Sequence, residues 1–334
     1  MRGPRAVDVH GLARASRAIL LYGVLLANLL ALVLARSTAP PQLLAGAVAV
    51  SLALLYVVGR RDAALRVWAV YMLAFLLFAH LRSLADETGI PARFDYVVDL
   101  EQTLFAGTTP TLWLQDRLYA IGEIGAAEIA TVAVYTSYFV VPHLVALALW
   151  LRRPELFGRY AAALLGTAYL GLAVSFAVPT APPWLAGQSG HLPFVSRVVE
   201  DVTNGVDPSI YERGYEIVGA NPVSAMPSLH MAMTVLVLLA AWRARLPMRV
   251  AGLLYALAMG FALVCAGEHY LVDLLAGAAV AALAWRLAGR LSPRSGDVVP
   301  DLARVAAPAF LAHVDRHATV RALDLLHDPR AAVD

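Results

Sequence analysis

Two histidines and one aspartate stand where they could do chemistry. His230 closes the stretch Asn221-Pro-Val-Ser-Ala-Met-Pro-Ser-Leu-His and leads directly into an apolar run. His269, in Glu268-His269-Tyr270, opens another apolar run, with Asp273 four residues on. Residues four apart share one helix face, so a carboxylate at 273 can hold the 269 imidazole in one tautomer and raise its basicity. Pro227 suits a first helical turn, which leaves free backbone N–H groups near Ser228, and a helix N-terminus is a ready anion site. Such a set can act as nucleophile, orienting carboxylate and separate acid/base. With Glu268 it can also ligate zinc, and two His with one carboxylate suffice for that.

The other polar residues carry less. His80, His143 and His191 each stand alone and read as interfacial or hydrogen-bonded positions. Pro179-Thr-Ala-Pro-Pro-Trp184 leaves one apolar run, either as a third component of the site or as a helix stop with an interfacial Trp anchor.

The elements that must hold these residues are membrane helices. The 334 residues are 60% hydrophobic and 15% charged, against about 45–50% and about 25% in soluble domains, and the mean hydropathy is +0.67. A water-soluble enzyme is therefore excluded. A net charge of +2 gives no footprint for nucleic acid. All 26 basic residues are Arg, which removes Schiff-base and Walker lysines, and the single Cys265 removes disulfide frameworks and Cys-rich metal sites. About 20 apolar residues span about 30 Å of hydrocarbon. Such stretches fall at 17 to 35, 41 to 59, 65 to 84, 126 to 151, 159 to 178, 227 to 243, 248 to 266 and 269 to 288. The fold expected is all-α, a polytopic bundle of about eight transmembrane helices.

Charge sets the orientation. Twenty of the 26 Arg fall at the N-terminus, in alternate connections and in the C-terminal tail; Arg36, Arg82, Arg93, Arg117, Arg197 and Arg213 fall on the other side. The positive-inside rule makes the richer side cytoplasmic. Both termini are then cytoplasmic in a multi-pass protein of the cell membrane, and the long loops 86 to 125 and 179 to 226 face outward together with the three polar clusters. Long ordered loops tend to be functional. Within the first, 108 to 123 (Pro110, Trp113, Leu114, Leu118) reads either as an amphipathic piece at the interface or as plain loop. The organisation expected is N-terminal transmembrane helices over 1–90, a catalytic membrane core over 91–290 and a cytoplasmic tail over 291–334.

Pro227-Ser228-Leu229-His230 with His269-x-x-x-Asp273 resembles the second and third signature motifs of the type 2 phosphatidic acid phosphatase superfamily. The longer wording is similar to its branch containing fungal inositol phosphorylceramide synthase and the sphingomyelin synthases: Asn-Pro-Val-Ser-Ala-Met-Pro-Ser-Leu-His, His-Tyr-x-x-Asp and the Pro-x-x-Pro-Pro-Trp exit. Leu104-Phe-Ala-Gly107 followed by Pro110 and Trp113-Leu-Gln115 also resembles that branch. The resemblance covers roughly 95 to 288. It implies a six-helix phosphatase-like core and a phosphohistidine mechanism with neither metal nor cofactor. In that mechanism His269 attacks phosphorus, Asp273 orients it, and His230 protonates the departing oxygen and then activates the acceptor. Ser228 and the N–H groups beside it would hold phosphate oxygens, with Pro227, Glu268 and Tyr270 completing the substrate-binding set. The partners implied are a membrane lipid substrate, the bilayer, and as acceptor either a lipid or polyol alcohol, for a transferase, or water, for a phosphatase.

Two departures matter. The superfamily's Ser-Arg, seven and six residues before the nucleophile, is replaced by Ala262 and Leu263, and its Lys-containing first motif has no match. Oxyanion charge still needs donors. The outward Arg82, Arg93, Arg117, Arg197 and Arg213 are the candidates, Arg82 and Arg213 foremost. Tyr135 and Tyr138 read as packing residues that could add ligands; Glu268 could tune His269, meet an acceptor hydroxyl or face water. Beyond these readings, a non-enzymatic transporter or lipid-binding protein is the remaining class.

Overall fold

A computed structural model describes residues 63–82, 89–119, 124–206 and 221–291. The expected spans 17 to 35 and 41 to 59, the tail from 292 and Arg213 lie outside the described residues. Packing divides the chain into two compact units, one of Met1–Val70, Trp150–Pro154 and Pro293–Asp334, the other of Tyr71–Leu149 and Glu155–Ser292.

Among the described residues every regular element is a helix, and no strand is present. In chain order the helices are α1 (Ala63–Arg82), α2 (Asp95–Leu104), α3 (Pro110–Leu118), α4 (Ala126–Ser137), α5 (Val141–Arg152) and α6 (Pro154–Ala177). They continue as α7 (Pro183–Gln188), α8 (Val198–Val206), α9 (Leu229–Ala241), α10 (Leu246–Cys265) and α11 (Leu271–Leu291). Among the described residues three stretches are long and apolar enough to cross a membrane: Leu156–Ala177, Leu246–Cys265 and Leu271–Arg290. The bent pair α4 and α5 makes a fourth if taken as one span. This is a multi-pass membrane protein.

Two expected spans are corrected. The stretch 126 to 151 is not one helix but two, meeting at 46°. Tyr138, Phe139 and Val140 each donate to the carbonyl three residues back, a tightened turn. Pro142 follows, and its ring removes a donor and clashes with a continuing ladder. The stretch 227 to 243 is helical only over Leu229–Ala241, about 20 Å at 1.5 Å per residue, which falls short of a full crossing.

The first long loop, 86 to 125, is structured over its described residues. Thr109 caps α3, its Oγ1 accepting from Leu112 N at 3.4 Å, and Pro110 occupies a first-turn position where no N–H is missed. The reading of 108 to 123 as plain loop is therefore replaced, over Pro110–Leu118, by a helix. Three distant segments are stitched by backbone bonds: Arg93 N to Pro179 O (2.8 Å), Thr180 N to Val223 O (2.8 Å) and Ala225 N to Thr180 O (3.1 Å). Beneath them Val97, Val98, Trp184, Val195, Tyr270 and Val272 form a buried apolar cluster. This joins both long loops to the start of α11.

Candidate active site

The end of α10 and the start of α11 create a short, tightly held loop. Gly267 has φ +74, a conformation that disfavours side chains. A Cβ there would also press on Ser196 O and Val195. Gly267 N bonds Val264 O and Glu268 N bonds Leu263 O, both at 3.2 Å, the paired closure that a left-handed glycine permits at a helix C-terminus. His269 follows two residues later. Asp273 then turns its carboxylate back, Oδ2 accepting from Tyr270 N at 2.9 Å, and so satisfies an N–H that the start of α11 would leave without a partner. The expectation that His269 shares a helix face with Asp273 is corrected in detail. His269 precedes the helix, and it is this backward turn that brings the two together.

His269 Nδ1 lies 3.5 Å from Asp273 Oδ2, and His269 Nε2 lies 3.4 Å from His230 Nδ1. The three side chains thus form a line, carboxylate to imidazole to imidazole. Asp273 is fully buried, and His269 is 6% exposed. The His230 ring stacks on Tyr135 (centroids 4.7 Å, 26° between planes) and against Tyr138 (4.1 Å, 42°), with the edge of Phe139 at 6.2 Å. The break between α4 and α5 delivers these aromatics. Arg82, the last residue of α1, is near enough for its charge to act on the Tyr138 phenol and on His230.

The model of the PAP2 superfamily matches residues 96–287, more than half of the chain. The chain belongs to the PAP2 superfamily. Phosphoinositol dihydroceramide synthase from Bacteroides thetaiotaomicron is 27% identical over 179 residues, 50% of this chain and 57% of that protein. The chain thus spans little more than half the length of this curated relative. No solved structure matches.

Within this PAP2 protein the remaining expected site residues fall out unevenly. Ser228 is fully buried as the N-cap of α9, its hydroxyl accepting from Met231 N at 3.2 Å. Its own N–H donates to Asp273 O at 3.0 Å, so the segments carrying His230 and His269 meet through backbone as well as through imidazole. Pro227 precedes that cap instead of occupying the first helical turn, because the Ser228 hydroxyl starts the helix. Tyr270 is fully buried in the apolar cluster, so its ring packs beneath the loop and does not line an open substrate face. Glu268 does not face water: its Oε1 accepts from Arg197 Nε at 2.9 Å, and the Arg197 guanidinium lies 3.9 Å over the Trp184 ring. The Pro-rich exit therefore contributes Trp184 to the support of Glu268, beside His269.

His143 pairs with Tyr71 at 2.8 Å and His191 with Asp95 at 2.7 Å, hydrogen-bonded positions as expected; the side chain of His80 lies outside the described set. Among the described residues no group of three or more His, Cys, Asp or Glu is arranged to hold a metal ion. Sequence reasoning missed Glu101, which is fully buried beside the start of α11. Burial raises its carboxyl from the ordinary value near 4.5 to about 7, with backbone donors opposing. Its only local signal was a charge in the short helix before Leu104-Phe-Ala-Gly107.

Proposed function

We propose that this chain is a lipid phosphotransferase that works through a phosphohistidine on His269. In the first half-reaction His269 Nε2 attacks phosphorus of a glycerophospholipid, forming a P–N bond as the P–O bond to the glyceride breaks. His230 gives its proton to the departing oxygen. In the second, His230 takes the proton of an acceptor hydroxyl, whose oxygen attacks phosphorus and releases His269. Asp273 holds the His269 ring throughout, and Arg82 lies where it can balance charge on the phosphoryl oxygens in place of the absent Ser-Arg.

The observation that carries this reading is the line from Asp273 through His269 to His230, with 3.5 Å and 3.4 Å between successive polar atoms. The transferase reading, with phosphoinositol as the group moved and a long-chain ceramide-type alcohol as acceptor, draws on the name of the Bacteroides relative. Catalysis at the outer leaflet draws on the Arg asymmetry. The catalytic part is assigned to 91–290, on a six-helix phosphatase-like core.

The test supplies the full chain in membranes with phosphatidylinositol, with and without a short-chain dihydroceramide. A new phosphoinositol-bearing lipid that depends on the acceptor is the expected product; release of inositol phosphate alone would make the enzyme a phosphodiester hydrolase with water as acceptor instead. His269→Ala should abolish turnover and any acid-labile phosphoprotein, whereas a transporter would keep its function. Activity should survive excess chelator, and its loss would favour a zinc site.

A further inference from the structure

We propose that Glu101 and Gln115 are positioning residues that grip the backbone on either side of His269 and so hold the catalytic loop in register. The proposal rests on the reading of His269 as nucleophile. The loop has two liabilities, since a helix end leaves carbonyls without partners and a helix start leaves N–H groups without them. At the end of α10 three successive carbonyls receive donors from three different segments. Gln115 Nε2 bonds Cys265 O at 2.9 Å, Val198 N bonds Ala266 O at 3.3 Å, and Trp184 N bonds Gly267 O at 3.0 Å. Gln115 Nε2 also bonds Ser196 O at 2.8 Å, while its Oε1 accepts from Ser196 N at 2.9 Å. The one amide thus ties α10 to the segment entering α8. At the start of α11, Glu101 Oε1 accepts from Val272 N at 3.1 Å, and Leu271 N is a second donor to the same carboxyl.

His269 sits between these two grips, four residues after Cys265 and three before Val272. Both gripping side chains come from the α2–α3 segment, so one local unit sets both ends of the loop. The two grips ask for opposite chemistry: Gln115 must donate to carbonyls, and Glu101 must accept from N–H groups. A same-sized exchange therefore separates them. Glu101→Gln keeps an acceptor oxygen, whereas Gln115→Glu replaces the donor with a carboxylate facing two carbonyls.

The full chain in detergent is assayed by two routes. One is turnover with phosphatidylinositol plus short-chain dihydroceramide and with dioctanoyl phosphatidic acid. The other is hydrogen–deuterium exchange across 263–275, which needs no substrate. Glu101→Gln should stay near the parent in both. Gln115→Glu, or Gln115→Met should the first not fold, should lower kcat on the order of tenfold to a hundredfold with KM little changed, and should speed exchange across the loop. Glu101→Ala should follow Gln115→Glu. Parent-level exchange and kcat in Gln115→Glu, equal effects of the two same-sized exchanges, or a loss confined to KM would overturn the proposal. His269→Ala runs alongside: turnover surviving in it would defeat the nucleophile reading, while the exchange data would still judge the grips.

Discussion

His230 is clasped between two tyrosine rings, with its Nδ1 toward His269 and its Nε2 without a hydrogen-bond partner among the described residues. A ring so held presents one nitrogen to His269 with little rotational freedom, and the charge of Arg82 acts on the neighbouring Tyr138. If Arg82 balances phosphoryl charge, Arg82→Gln should lower kcat/KM on the order of a hundredfold while leaving the melting temperature near the parent; a wild-type rate would remove it from the site. Glu101 supplies a pH signature of stability. Its carboxyl, facing Asp273 and Tyr270, holds its proton up to about pH 7 in the folded chain, against about 4.5 when exposed. Between those values the folded state binds more protons than the unfolded, so this group's contribution to stability falls as pH rises. Melting temperatures measured across that window should decline with pH in the parent and decline less in Glu101→Gln.

Among the elements, the crossing of α9 and α11 decides whether the two histidines meet. Gly277 of α11 lies against the Ser228 backbone carbonyl, and a methyl group there would collide with it. The side-chain-free surface lets the start of α9 settle onto α11, and Ser228 N reaches Asp273 O. Gly277→Ala should therefore destabilise the protein by about 1–3 kcal/mol, read as a lower melting temperature, and should depress kcat by moving His230 relative to His269. Full activity with an unchanged melting temperature would show that the crossing tolerates the methyl group. Some of this was legible beforehand. Pro227 with the apolar run after it marked a helix start near Ser228 from local sequence, although Ser228 and not Pro227 opens the helix. The break at Tyr138–Val140 has no signal in hydropathy, because the apolar composition continues through it and past Pro142.

For the whole molecule the Arg asymmetry predicts that the two long loops face outward. Ser189 is exposed at the end of α7, and the natural Cys265 is buried. A Ser189→Cys variant should label with an impermeant maleimide in intact cells; protection until lysis would reverse the orientation. Composition and spacing alone pointed to a bilayer and singled out His230, His269 and Asp273 as candidates for chemistry, because hydropathy and short motifs are properties of neighbouring residues. Only the tertiary structure decided which partners complete that set. Glu101 reaches Val272 across 171 positions, Gln115 reaches Cys265 across 150, and Arg197 reaches Glu268 across 71. No local pattern encodes such contacts, since they form only when helices distant in sequence pack and leave buried backbone and charged groups needing partners.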